Sequence, residues 1–240
     1  MKKTLVALAV YAALVPSLAM AEAGDIVVRL RATNISAHED SQLGKQTDKT
    51  GPASSAALYD NANAELRVDS NTIPELDLSY YITKNIAAEL ILALGSEHDV
   101  KINHLGAGAA VTDKDLGKVN LLPPTLTLQW HFNPDQFLDP YVGAGVTYVR
   151  AMNNGLNAMT GSVKNPIRID RNMWGVALQA GLDVNLENKW LVNFDVKKIW
   201  VDTDVKLNAD AALGGNQGYK LIDKLDIDPW VVSVGFGKKF

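Results

Sequence analysis

The chain has 240 residues, of which 47% are hydrophobic and 21% charged, and its formal net charge is −4. A mildly acidic chain without a basic cluster is a poor nucleic-acid binder, so no nucleic-acid partner is predicted. It contains no cysteine, which excludes disulfides and thiolate chemistry. No apolar run after Ala21 approaches the ~18 residues that a membrane helix needs, so any crossing of a membrane must use strands.

The N-terminus resembles a secretory signal peptide. A positively charged start precedes an apolar stretch that ends in Ala19-Met20-Ala21, the small-x-small pattern of a cleavage site. The alternative, an N-terminal membrane anchor, is disfavoured because small residues end the apolar stretch and an acidic residue follows directly. The sequence therefore predicts that residues 1–21 are removed and that residues 22–240 form one exported domain.

Eight segments then alternate apolar residues with polar or small ones, which is the period of a β-strand. With their flanks they reach roughly nine to eleven residues, the length that crosses a bilayer when tilted. The segments are 26–33, 74–82, 86–94, 125–132, 141–148, 174–183, 190–197 and 230–237.

The connections between these segments alternate strictly in length. Short turns rich in Asn, Asp, Lys and Pro alternate with long segments at about 36–73, 95–122, 150–172 and 203–224. Outer-membrane barrels have short periplasmic turns and long extracellular loops in this order, whereas a soluble barrel or sandwich has no reason for the asymmetry. The pattern predicts an all-β fold, an eight-stranded antiparallel transmembrane β-barrel in the bacterial outer membrane.

Aromatic residues support this fold. They fall near the short turns and near the long loops, the two heights at which aromatic girdles lie. The chain ends on Phe240, and Phe236 shares its face of the last segment. We interpret both as the signal for the barrel-assembly machinery, a partner during biogenesis, and expect the last strand to pair with the first. The aromatics of the two levels are Tyr80, Trp130, Phe132 and Trp190, and Trp174, Trp200 and Trp230.

If the apolar faces meet lipid, the opposite faces place charged side chains in the lumen. An eight-stranded barrel is just wide enough for its interior side chains to fill it, so a wide aqueous pore is excluded. Buried charges must pair, and Arg29 and Arg31 opposite Glu75 and Asp77 are the natural first pairs. A structural plug is favoured over a substrate site. The predicted charge network is Arg29, Arg31, Glu75, Asp77, Glu89, Asp183, Asp195 and Lys197.

The histidines offer only weak evidence for catalysis or metal binding. His98 and His104 lie in the second long loop, where solvated side chains are expected, and no serine is placed by the sequence to complete a triad. His131 is interpreted as a lumen residue. No catalytic residue, metal or cofactor is predicted, and no Gly-rich phosphate loop is present.

Several motifs resemble the OmpW family of small outer-membrane proteins, which includes the alkane-uptake protein AlkL. They run from the first strand to the end of the chain, with two departures. The first long loop, with Asp48-Lys49-Thr50-Gly51 and the small residues of 53–57, matches none of the motifs, and Lys238 stands where an aromatic residue is usual. The motifs are Leu122-Pro123-Pro124-Thr125-Leu126, Gln129-Trp130-His131-Phe132, Pro140-Tyr141-Val142-Gly143-Ala144-Gly145-Val146, Trp190-Leu191-Val192-Asn193 and Asp228-Pro229-Trp230.

The resemblance implies a monomeric barrel, in contact with outer-membrane lipid and lipopolysaccharide, that takes up small hydrophobic solutes passively. Solutes would enter a narrow apolar passage from outside and leave sideways into the membrane, because the lumen is blocked toward the periplasm. Prolines cannot donate ladder hydrogen bonds, so those beside the long loops are candidates for the gap. The candidates for the passage and lateral exit are Ile73, Pro74, Leu76, Leu121, Leu122, Pro123, Pro124 and Trp174.

Two other functions remain open at this point. The first is a receptor, stress or adhesion protein that acts through its long loops without transport. The second, more remote, is an enzyme, which would be indicated by turnover of a lipid substrate that disappears in a His98→Ala variant.

Overall fold

The computed structural model describes residues 22–46, 58–93, 95–208, 210 and 218–240. The predicted signal peptide, residues 1–21, lies outside this range and stays a prediction. In the described ranges, no helix is long and apolar enough to cross a membrane. The strands are β1 (Ile26–Ser36), β2 (Glu65–Val68), β3 (Asn71–Tyr81), β4 (Ile86–Ala93), β5 (Ser96–Asn103), β6 (Asp115–Leu122), β7 (Thr125–His131), β8 (Leu138–Asn154), β9 (Asn157–Thr160), β10 (Val163–Ile169), β11 (Asn172–Asn185), β12 (Trp190–Trp200), β13 (Asp202–Asn208), β14 (Tyr219–Asp226) and β15 (Trp230–Lys239), with a short helix α1 (Leu43–Gln46) and a 3₁₀ turn (Glu187–Lys189).

Eight of these strands close into the predicted antiparallel barrel. Their order around the wall is β1, β3, β4, β7, β8, β11, β12 and β15. Ten residue pairs, from Val27–Lys239 to Ser36–Trp230, join the last strand to the first. The predicted fold and the pairing of the chain's two ends are therefore confirmed.

The faces of the barrel strands follow the predicted alternation. On β1, Leu30 is 62% exposed on the outer face, whereas its neighbours Arg29 and Arg31 are 0% and 2% exposed inside the barrel. Aromatic side chains lie outward near both ends of the wall, and Tyr148 contacts Trp174 with ring centroids 4.8 Å apart. The outer face is therefore apolar, as a lipid environment requires, and charged side chains lie on the inner face.

The long connections differ from their prediction as loops, because they contain most of the remaining strands. The upper part of β8 pairs with β6, β6 with β5, and β5 with β2, while β9, β10, β13 and β14 form a separate sheet. These strands bury a shared apolar core that includes Leu66, Ile102, Val205 and Leu207. Burial of that core gives the strands a reason to form outside the membrane. Parts of the connections, 47–57 and 211–217, lie outside the described residues.

Candidate functional site

The lower half of the lumen is filled by the charged plug, the eight residues Arg29, Arg31, Glu75, Asp77, Glu89, Asp183, Asp195 and Lys197. Strand register brings them together, since Arg29 lies opposite Asp77 and Arg31 opposite Glu75 on β3. Arg29 binds Asp183 at 2.6 Å and Asp77 at 3.2 Å. Arg31 binds Asp77 at 2.7 Å, Glu89 at 3.1 Å and Glu75 at 3.2 Å.

Neutral side chains add hydrogen bonds to the plug. Gln179 Nε2 donates to Glu89 and to Asp195, both at 2.7 Å. The Tyr141 hydroxyl donates to Asp195 at 2.7 Å. Lys197 binds the other side of Asp195, with 2.6 Å between Nζ and Oδ1. The ions of the plug are therefore buried and paired with one another across the lumen.

A glycine makes room for the largest ring in the plug. A Cβ atom on Gly181 would overlap the Cζ and hydroxyl oxygen of Tyr141. Tyr141 itself is 1% exposed and also receives a hydrogen bond from Asn193 at 3.0 Å. Gly181 is therefore needed for the ring to reach Asp195.

Hydroxyl groups lie above the plug and mark the change from a charged to an apolar interior. The Thr33 hydroxyl donates to Ser233 at 2.8 Å, and the oxygens of Thr125 and Thr147 are 2.9 Å apart. Ile73 faces inward at this level, because it lies opposite Thr33 in the β1–β3 ladder.

The upper half of the interior holds a cavity of about 90 Å³. A water needs roughly 10–15 Å³ on this measure, so the cavity is several waters in size. Among the described residues that line it, all are apolar except Ser96, His98, Thr147 and Thr203. An apolar space of this size suits a small hydrophobic molecule rather than an ion. The apolar lining residues are Ile35, Ala37, Leu66, Val68, Val100, Leu116, Val119, Leu121, Pro123, Val149, Leu156, Ile167, Ile169, Met173, Ile199, Val201, Val205, Leu225, Ile227, Pro229 and Val231.

The wall beside the cavity contains a break in strand pairing. Among the described residues, the β4–β7 ladder ends at the pair Ile91–Thr125, and the next pair between these two segments of the chain is Ser96–Leu121, where β5 meets β6. The residues that would continue the ladder on one arm are Pro123 and Pro124, which lie between β6 and β7. On the other edge of β4, the described ladder with β3 ends at Glu75–Ala93, and Pro74 follows. Pro123 and Pro124 therefore occupy the interruption, as expected for residues without an N–H donor.

Two polar residues at this break form a pair that was not predicted. Ser96 Oγ lies 2.7 Å from His98 Nε2, and His98 Nδ1 lies 2.9 Å from the backbone oxygen of Asp69. Ser96 is 1% and His98 5% exposed, so the interpretation of His98 as a solvated loop residue is wrong. The spacing i, i+2 puts both side chains on one face of a strand, a signal that becomes readable only once residues 96–103 are known to be a strand. His104, by contrast, has a side chain that is 59% exposed.

The comparisons with known proteins agree with this architecture. The model of the OmpW family matches residues 22–240. The chain belongs to the OmpW family. "Uncharacterized outer-membrane protein y4mB" of Sinorhizobium fredii is 36% identical over 198 residues, which cover 82% of this chain and 76% of the relative. "Outer membrane protein AlkL" of Ectopseudomonas oleovorans is 29% identical over 178 residues, covering 72% and 68%.

A solved structure has the same fold. The crystal structure of the outer membrane protein OprG from Pseudomonas aeruginosa superposes with a TM-score of 0.73 and 26% identity, covering 91% of this chain and 97% of that one. The predicted family and the outer-membrane location are therefore confirmed.

The OmpW-family barrel separates the predicted passage residues into two groups. Leu121 and Pro123 line the cavity, and Ile73 lies buried just above the plug. Leu76, Leu122 and Trp174 have outward side chains, and Trp174 is 68% exposed in the outer aromatic level. Pro74 is exposed and Pro124 half-buried at the wall break. The outward residues do not line the cavity, because successive side chains of a strand point to opposite faces. Their part in a lateral exit stays a prediction.

One group in the lumen has the residue types of a metal site. His131, Asp139 and Asp183 each bring a ligand atom within 4.8 Å of the others. Protein partners already occupy these atoms, since His131 Nδ1 is 2.7 Å from Asp139 Oδ2 and Asp183 Oδ2 is 2.6 Å from Arg29. The group is therefore explained as part of the hydrogen-bonded base of the lumen.

Proposed function

We propose that this OmpW-family protein conducts small hydrophobic molecules passively across the outer membrane. The observation that carries the proposal is the apolar cavity directly above the charged plug. An apolar solute gains free energy by leaving water for such a cavity, while the paired ions below offer it no comparable environment.

The route that we propose ends in the membrane rather than in the periplasm. The break between Ile91–Thr125 and Ser96–Leu121 lies beside the cavity, and the Pro123 side chain contributes to both. A solute that leaves through this break enters the hydrocarbon of the bilayer, where it partitions favourably. The unit that does this is proposed to be a monomer, since one barrel holds the complete cavity.

Uptake measurements test the proposal. A deletion strain should grow more slowly on low concentrations of a hydrophobic carbon source, and the wild-type chain should restore growth. Pro123→Thr combined with Pro124→Val supplies two N–H donors that can close the ladder and should reduce uptake. Pro140→Val is the matched control, because Pro140 lies in β8 near the periplasmic end, opposite Leu182. Equal uptake by the deletion strain and the complemented strain would remove the proposal.

A receptor, stress or adhesion role is the second candidate. The observation in its favour is that the long connections form folded strands with a common core, which offers partners a defined surface. Replacing exposed residues of these connections that do not line the cavity, such as Lys118, Val163 and Lys164, should weaken binding of an external partner in this case, while uptake survives.

We infer a non-enzymatic role for the serine–histidine pair. The group on His98 Nδ1 is a backbone carbonyl rather than a carboxylate, and an uncharged acceptor stabilises an imidazolium less than a carboxylate does. Turnover of a lipid ester that disappears in His98→Ala would contradict this inference.

A further inference from the structure

An irregular segment of the chain lies between the edges of two sheets beside the cavity. β2 is the last strand of the sheet that contains the barrel, and β14 is an end strand of the separate sheet. The segment that follows β1, residues 37–42, is bonded to both strands, and we call it the strap. Val68 of β2, Leu225 of β14 and Ala37 of the strap all line the apolar cavity. The cavity therefore reaches this junction from the inside.

Along β14 the strap pairs as a strand does. Asp40 and Asp226 exchange both of their backbone hydrogen bonds, at 3.0 and 3.2 Å. The carboxylate of the buried Asp223 accepts two more, from the Ser41 hydroxyl at 2.5 Å and from the Gln42 N–H at 2.8 Å. This edge of the strap can open only if the whole segment moves.

Along β2 the strap is held by side chains. The Val68 N–H donates to Glu39 Oε1 at 2.5 Å, and the Leu66 N–H donates to the Ser41 hydroxyl oxygen at 2.8 Å. Among the described residues, the backbone-to-backbone bond on this side lies beyond the strap, where α1 donates to the Ala64 oxygen at 2.9 Å. A side chain releases its donor by a change of rotamer, so this edge opens with a smaller movement than the edge along β14.

A hollow of about 350 Å³ lies on the outer side of the same edge. Ala37 and Val68 line both the hollow and the apolar cavity, so these two small residues form the wall between the two spaces. Most of the other lining residues are exposed, so the hollow opens to the surface. The other described residues that line it are polar, namely Ser36, Glu39, Arg67, Asp69, Ser70, Lys101 and Asn103.

We propose that hydrophobic solutes enter the apolar cavity from this hollow, through an entrance slit between the strap and β2. Glu39 and Ser41 hold the slit closed between passages, because they are the acceptors of the β2 N–H groups. When the slit opens, those N–H groups face solvent in the hollow, so no buried donor is left unpaired. The inference rests on the proposed function and adds the place of entry to it.

Labelling of a thiol inside the cavity tests whether the slit opens. The chain has no cysteine, so Val149→Cys, at a buried lining position on β8, supplies a single thiol. The barrel in lipid vesicles is treated with a charged methanethiosulfonate, which does not enter through the bilayer. Adding Glu39→Ala should raise the labelling rate about tenfold, because one charge-assisted hydrogen bond is removed. Glu65→Ala is the matched control, since Glu65 pairs with the same Arg67, at 2.9 Å, from within β2; it should leave the rate unchanged.

Closing the slit covalently tests whether solutes use it. Glu39→Cys with Arg67→Cys puts two thiols across the slit, where the wild-type side chains are 3.4 Å apart, and a short bismaleimide joins them. Initial octane uptake by the deletion strain that produces this variant should then fall to the level of the strain without the protein. The matched control is Asp40→Cys with Asp226→Cys, whose disulfide joins the strap to β14 instead. The Cα atoms of such a hydrogen-bonded pair are about 5.5 Å apart, within reach of a disulfide, and uptake should stay unchanged.

The outcomes separate the inference from the proposed function. Equal labelling rates in Glu39→Ala and Glu65→Ala, or octane uptake that continues after mass spectrometry shows the bridge, would overturn the entrance slit while passive uptake stood. Uptake by the wild type that is no faster than uptake by the deletion strain would instead contradict the proposed function and the inference together.

Discussion

Arg31 pairs with three carboxylates of the charged plug, so Arg31→Met should destabilise the barrel strongly. Arg31 is 2% exposed and lies between 2.7 and 3.2 Å from three carboxylates. The ion pairs of the plug join five carboxyl groups to three cations, which are Arg29, Arg31 and Lys197. Removing one cation leaves five carboxyl groups with two cations. Breaking a buried ion pair in this way lowers the free energy of unfolding by about 3–5 kcal/mol.

Urea titration of the barrel refolded into lipid vesicles measures this loss. The free energy of unfolding should fall by about 3–5 kcal/mol in Arg31→Met. Lys118→Met is the control, because Lys118 pairs with Glu97 at 2.8 Å but both side chains are more than half exposed; it should cost less than about 1 kcal/mol. Adding Glu89→Gln to Arg31→Met should recover part of the loss, since one uncompensated charge is removed. Equal losses in Arg31→Met and Lys118→Met would refute the argument that the plug is held by mutual charge compensation.

Three further changes test other parts of the fold. Gly181→Ala should cost about 1–3 kcal/mol, because its Cβ displaces the Tyr141 ring; the same titration measures it, and an unchanged midpoint would contradict the packing argument. Leu178→Lys puts a charge on the outer face, where Leu178 is 54% exposed, and should cost about 2–4 kcal/mol in bilayers; no loss there would mean that this face does not meet lipid. Phe240→Ala should lower the amount of barrel assembled in cells while leaving its stability in vesicles nearly unchanged, and normal assembly would disprove its role as a signal.

The barrel was predictable because its strands are long and their alternation is unbroken. Arg29, Arg31, Glu75 and Asp77 fall on one face by residue parity alone, and the short β-turns fix which strands are neighbours. The charged plug follows from those two facts. The distances between its charged groups depend on side-chain packing across the lumen, and the alternation of residues along a strand does not specify that packing.

The extracellular strands were missed because their pattern is interrupted. In β14, Ile222 and Asp223 are both buried although they are consecutive, and the pairing with β13 shifts between Val205 and Lys206. Such a bulge breaks the period of two that identifies a strand. These strands are also stabilised by a core assembled from distant parts of the chain, such as Leu66 and Leu207.

The cavity could be predicted only in outline. The sequence indicated the region around Leu121 to Pro124, but contiguous residues of a strand cannot all line one side of a wall. Leu121 and Pro123 face the cavity, while Leu122 is 37% exposed outside. The Ser96–His98 pair was not predicted because residues 95–122 were interpreted as a loop. The rule that residues i and i+2 point to the same face holds in a strand and not in a loop.

The central claim is that hydrophobic solutes occupy the apolar cavity above the plug and leave through the wall break. The most direct measurement is photo-crosslinking of a hydrophobic diazirine probe to the barrel in lipid vesicles, mapped by mass spectrometry. The account predicts adducts on cavity residues such as Met173 and Val149, which competing alkane reduces, together with adducts at Pro123. Adducts confined to the outer face, at residues such as Leu178, and insensitive to competing alkane would contradict it.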